Sequence, residues 1–144
     1  MDKNMIETLV RARALRYKQV DKEFIKSLLS TSERTSNFVK TLEIDEKSSD
    51  VIFWELYESV RQLGEIRWRL LGYEPLNHEI CLDGLMDSNI KEKTLLNHLS
   101  RFKKIRNDLN YKGVRVEVSQ EREIIDFWNK CGDEILELLK KEVY

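Results

Sequence analysis

Between Val51 and Leu71, apolar side chains recur every three or four residues around more than half of a helical circumference. Phe53, Trp54, Leu56, Tyr57, Val60, Leu63 and Trp68 leave no wide polar face, so this helix has to be covered on several sides at once. It is either the centre of its own bundle or shared with a second subunit. The rest of the chain agrees with a helical answer. One proline and five glycines in 144 residues, with 35% of residues charged, favour long helices with solvated outer faces over an all-β fold. The length suits one domain over residues 1–144, enough to bury about two-thirds of its unfolded surface.

Other segments follow the same period. Residues 3 to about 30 read as one long helix through Ile6, Leu9, Val10, Leu15, Tyr17, Val20, Phe24, Leu28 and Leu29. Ser30, Thr31 and Ser32 interrupt it, because their hydroxyls compete for backbone hydrogen bonds. Residues 37–42 form a short helix or continue the first after a kink. A polar loop follows over 45–50, with Ser49 or Asp50 as N-cap of the aromatic helix. Gly72 ends that helix and Pro75 prevents its resumption. Asn77 then caps a third helix with Ile80, Leu82, Leu85 and Met86 inward. Val114 to Val118 alternates like a strand but has no partner, and is expected to be an extended crossing. Ser119 caps a last helix that buries Ile124, Phe127, Trp128, Cys131, Ile135, Leu138 and Leu139.

Several function classes are disfavoured. With 25 basic and 26 acidic residues there is no global field for nucleic acid, so any such site is a local patch. Cys81 and Cys131 have no histidine or cysteine at metal spacing and are expected to be buried free thiols. No phosphate-cradling glycine loop or serine–histidine–acid set is visible, and no cofactor or metal is called for. The charged N-terminus reads as neither signal nor anchor, and no apolar run approaches the roughly 20 residues that cross a bilayer. A soluble, cytoplasmic protein with no membrane partner is expected.

The chemistry concentrates between Leu95 and Gly113. Leu95, Leu99, Phe102 and Leu109 share one helical face, and Arg106 projects near the centre of that stripe. A guanidinium stays charged and is seldom buried alone. Arg106 therefore snorkels, pairs with a core carboxylate, or serves an anionic ligand. Glu58, Arg61 and Glu65 stand at three- and four-residue steps on the aromatic helix, and Glu58 or Glu65 is the expected partner of Arg106. Lys103, Lys104, Arg106, Lys112 and Arg115 surround the stretch, as a solvated face or as a patch that steers an anion. The aromatic set Phe53, Trp54, Tyr57 and Trp68 is expected to be core rather than a base-stacking platform.

The run Ile105-Arg106-Asn107-Asp108-Leu109-Asn110-Tyr111-Lys112-Gly113 resembles the signature of the HEPN family (higher eukaryotes and prokaryotes nucleotide-binding domains). That signature is arginine, a polar residue, three further positions and histidine near the end of a bundle helix; here Tyr111 stands at the histidine position. Tyr57 to Leu63 with the closing Leu70-Leu71-Gly72-Tyr73 is similar to the family's second helix. Leu76-Asn77-His78-Glu79 is similar to the Ser-His-Glu that opens its third. The resemblance spans roughly residues 50 to 140. It implies a mainly antiparallel, up-and-down bundle of four to five helices, usually a homodimer with two arginine motifs facing a shared cleft. It also implies either a metal-independent ribonuclease, often a toxin of a toxin–antitoxin or defence system, or a non-catalytic nucleotide- or RNA-binding module. Such modules partner proteins such as minimal nucleotidyltransferases. A helical dimer without ligand is the remaining alternative.

Metal-free RNA cleavage needs a base for the ribose 2′-OH, an acid for the leaving oxygen and a cation for the phosphorane. Arg106 suits the last task and Asn107 can position a phosphate. Tyr111 has the wrong pKa for a base, near 10 where histidine has about 6.5, but it can stack or donate a hydrogen bond. If the protein is active, Arg106, Asn107 and Tyr111 are the catalytic candidates. For binding, His78, Lys103 and Lys112 join them, with Glu58, Arg61 and Glu65 as supporting charges. His78 also fits a capping role, and His98 a plain surface position. The binding module is the favoured expectation, because the departure falls on the residue cleavage most needs.

Overall fold

The computed structural model describes all residues from Met1 to Tyr144, and its class is all-α with one two-stranded sheet. Its helices are α1 (Lys3–Arg11), α2 (Lys22–Val39), α3 (Ser49–Leu70), α4 (Leu99–Lys112), α5 (Val118–Phe127) and α6 (Asp133–Val143). Between α5 and α6 the helix widens into a π segment over Trp128–Gly132. There the Trp128 ring lies so close to Gly132 that a Cβ would stand 2.5 Å from it.

α3 is the central element. Ile52, Phe53, Leu56, Leu63 and Ile66 are completely buried within the core that α3 forms with α2, α4, α5 and α6, and Trp68 is buried against the first fifteen residues and Ile80. Within one chain α3 is thus the centre of the bundle, with Val51 left exposed near its start. Phe102 of α4 meets Phe53 of α3 and Phe127 of α5 edge to face, at 6.0 and 5.3 Å between ring centroids.

The N-terminal third departs from the sequence expectation. In place of one helix there are α1, a short strand β1 (Leu15–Tyr17) and α2. The apolar period runs on through the break, but Arg13 adopts a left-handed φ of 59° that ends α1. Asp21, whose carboxylate accepts from the Phe24 amide at 3.1 Å, starts α2 afresh. β1 pairs antiparallel with β2 (Tyr73–Pro75), Leu15 opposite Pro75 and Tyr17 opposite Tyr73. Ser30 to Ser32 do not interrupt α2. Ser32 is buried and donates its hydroxyl to the Ser59 carbonyl at 3.1 Å, so its competition with the helix is turned outward onto α3.

The expected third helix shrinks to a 3₁₀ turn over Leu82–Leu85. Asn77 does cap this region, accepting from the Ile80 amide at 3.2 Å, but Met86 points outward. A second 3₁₀ stretch, Lys93–His98, leads into α4, which ends at Gly113 with φ 66°. Residues 114–117 are an extended crossing, as expected, although Glu117 with Gln120 caps α5 in place of Ser119. Both cysteines are buried and free. No helix is long and apolar enough to cross a membrane.

Candidate functional site

Close packing of backbone on backbone sets the wall of the site. At Gly64, in the middle of α3, an added Cβ would lie 2.0 Å from the Cys81 carbonyl oxygen. At Gly84 it would lie 2.7 Å from the Gly64 carbonyl. Only residues without side chains allow the 76–86 segment this close to α3. Trp68 then donates its indole N–H to the Ile80 carbonyl at 2.8 Å, and Arg67 donates Nε–H to the Gly84 carbonyl at 3.1 Å. His78 and Glu79, at the outer edge of this segment, are thereby held opposite α4. Lys103 closes the gap, donating from Nζ to the Glu79 carbonyl at 3.4 Å.

The resulting cleft has a volume of about 310 Å³ and is lined by Tyr57, His78, Glu79, Lys103, Arg106, Asn107 and Tyr111. Five of the residues singled out from sequence thus meet in one place: Arg106, Asn107, Tyr111, His78 and Lys103. Lys112 does not join them; it is exposed and pairs with Asp108 of its own helix at 3.6 Å. His98 lies elsewhere, with Nδ1 3.5 Å from Glu123.

The partner assigned to Arg106 is a correction. Neither Glu58 nor Glu65 reaches it, because Arg61 holds both: Nη2 donates to Glu58 and Nη1 to Glu65 at 3.2 Å. Arg61 also donates to the Cys81 sulfur at 3.5 Å. Glu65 is further shared with Arg69 at 2.9 Å. Arg106 is half-buried and makes no salt bridge. Its side chain makes one hydrogen bond, Nη1 donating to Asn107 Oδ1 at 3.2 Å. The guanidinium otherwise rests among aromatic rings, 5.3 Å from the centroid of Trp54 and 6.0 Å from those of Tyr57 and Tyr111.

Tyr57 is the principal residue that sequence reasoning placed only in the core. Burial pushes its hydroxyl up to about 12, although the nearby Arg106 and Arg61 charges pull the other way. It therefore stays a neutral hydrogen-bond donor. The available signal was its phenolic oxygen, one turn before Arg61 on an otherwise apolar face. Glu79 was also passed over, although it adjoins His78. Cys81, under the wall, has its thiol raised to about 11 by burial, so it is not a nucleophile at neutral pH. No set of residues is arranged to hold a metal ion.

Chemically, the cleft offers a guanidinium with most of its donors free, an ammonium, an imidazole, an amide, a neutral phenol and an exposed aromatic ring at its mouth, against the single carboxylate of Glu79. That collection suits an anion attached to a planar group. No family model, curated protein or solved structure matches the chain.

Proposed function

We propose that this chain is a HEPN-like module that binds the phosphate of a nucleotide or RNA at Arg106 without cleaving it. One observation carries the reading: a half-buried arginine has no carboxylate partner while a neighbouring arginine has two. A guanidinium partly removed from water gains most from an oxyanion that takes several of its five donors in its plane. Lys103 and His78 line the same cleft and add donors for a phosphate. Exposed Tyr111 is placed to stack on a base. The family resemblance extends the reading to work beside a partner, such as a nucleotidyltransferase, in a toxin–antitoxin or defence setting. It also extends it to a homodimer. Val51, Trp54 and Leu109, with Asp50, Glu55 and Asn110, line a groove beside Arg106 on which a second copy would bring its own arginine close.

A specific observation favours the ribonuclease alternative as well. His78 puts an imidazole into the cleft whose motif position holds Tyr111, and so supplies the type of base that tyrosine is not. Incubation with structured and unstructured RNA in excess chelator separates the two. Binding without cleavage, weakened by about 1.5–3 kcal/mol in Arg106→Ala, is the expected result. Chelator-resistant cleavage lost in both Arg106→Ala and His78→Ala would establish the nuclease instead. Absence of RNA or nucleotide binding by the unaltered protein would overturn both.

A further inference from the structure

A second cleft, of about 220 Å³, lies beside the first along α4. Its floor is apolar: Leu82, Leu96 and Leu99 are all buried. Its rim is polar and carries Asp83, Asn97 and Ser100. Lys103 and Glu79 line both clefts, so the shared wall is the weak 3.4 Å contact from Lys103 Nζ to the Glu79 carbonyl. The two compartments differ in character. The first carries cations and aromatic rings; the second is apolar below, with Asp83, Asn97 and Ser100 above, and Glu79 and Lys103 stand between the two.

We infer that the second cleft is the base compartment for a nucleotide whose phosphate is held at Arg106, and that guanine is the base it favours. The inference rests on the phosphate-binding reading above. A nucleotide is itself polarised, with an anionic end and a planar, weakly polar end, and the adjoining clefts match that order. Ligand compartments of this kind are mostly apolar with a few polar groups that fix orientation. The polar groups present select among bases. A carboxylate accepts two parallel hydrogen bonds from adjacent donors. Guanine presents such a pair, N1–H and the N2 amino group, on its pairing edge. Adenine and cytosine set a lone pair beside their amino group, which a carboxylate repels. Uracil offers one N–H flanked by two carbonyls. The Asn97 amide supplies a donor for the guanine O6. Asp83 stands exposed at the rim and its carboxylate is engaged by no donor or cation of the chain, so both oxygens stay open to two N–H donors.

The guanine can belong to a free mononucleotide or to a residue of a single strand. The full-length protein is titrated with GMP, AMP, CMP and UMP, and with short single-stranded RNAs that contain or lack guanine. Calorimetry and the change in tryptophan fluorescence give the readout, since Trp54 lies beside Arg106 while Trp68 and Trp128 are buried away from any ligand. GMP is expected to bind about tenfold or more tightly than the other mononucleotides. Asp83→Asn should erase that preference, and Ser100→Trp, which fills the compartment from an exposed helical position, should weaken GMP binding by about tenfold. Preference seen with GMP alone assigns the site to a free nucleotide; preference seen only with RNA assigns it to a strand. Equal binding of all bases, or preference for another base, with Arg106→Ala still abolishing binding, overturns the base compartment and leaves the phosphate site standing. No binding of any nucleotide or RNA overturns the phosphate site, and this inference with it.

Discussion

Arg61 and Arg106 occupy facing helices and are both withdrawn from water, yet their surroundings could hardly differ more. Arg61, 8% exposed, sits between Glu58 and Glu65 on its own helix and donates to a buried sulfur as well. Its charge is consumed inside the fold. Arg106 has rings on three sides and one weak bond to the neighbouring amide. Burial alone therefore does not tell a structural arginine from a functional one; the count of acceptors does. A cation already matched by carboxylates has nothing left for a ligand. One left among aromatic faces keeps its fork of donors for an anion from outside.

The sharpest way to break this contrast is to remove each guanidinium in turn. Arg61→Ala leaves Glu58 without a partner and Glu65 to Arg69 alone, and is expected to lower stability by about 1–3 kcal/mol, discounted for the partial exposure of Glu58. Urea unfolding with an unchanged m-value would register this as a lower midpoint. Arg106→Ala should do the reverse, costing little in urea and about 1.5–3 kcal/mol in RNA or nucleotide binding by calorimetry. Equal stability losses in the two variants would erase the distinction.

Tyr57 sharpens the comparison through pH. Its hydroxyl is raised from 10 to about 12, chiefly by burial. The native state thus holds a proton that the unfolded state releases first. The stabilisation is complete below about pH 10 and is lost as pH rises through 12, to a total of about 3 kcal/mol. Tyr57→Phe should flatten that slope in alkaline urea titrations. Because the Arg106 charge lowers this pKa, Arg106→Ala should move Tyr57 titration still higher, read by tyrosinate absorbance. The smallest effect belongs to Tyr111, whose side chain is 74% exposed. Tyr111→Phe is expected to leave stability unchanged and to cost about 1 kcal/mol or less in binding, as only the hydroxyl is lost.

Much of the scaffold was legible because helical periodicity survives wherever a helix has one buried face. α4, with Leu99 and Phe102 inward and Gly113 as its stop, shows this, as does the run of buried aromatics on α3. The errors fall where a single residue changes the rule without changing the pattern. Arg13 takes a left-handed conformation usual for glycine, so nothing in the 3–30 period marks the end of α1. Ser32 reads as a helix competitor until its distant acceptor, Ser59, is known. In the site, the grouping of His78 with Arg106 was legible only through resemblance, whereas Lys103 was marked by its place in the basic stretch around Arg106. The allocation of Glu58 and Glu65 to Arg61 turned on which of two arginines lay closer, and helix spacing alone already placed Arg61 one turn from both. Gly64 gave no signal, since a glycine inside a helix announces nothing about what approaches it.

The smaller of the two core clusters, Ile6, Ala14, Leu15, Trp68 and Ile80, joins the first fifteen residues to the wall that carries His78. The Leu76 amide donates to the Ala14 carbonyl at 2.8 Å, so the two segments share backbone bonds as well as apolar contacts. Sharing a core of five buried residues, against the twenty-five of the main cluster, they are expected to open together as one unit. Such a unit opens at a free energy below that of global unfolding. Amides of β1 and β2 should therefore exchange with solvent together and sooner than those of α3. A ligand gripping His78 would slow exchange in β1, which does not line the cleft. That result would make the N-terminal arm the clock of the wall, setting how often the cleft comes apart.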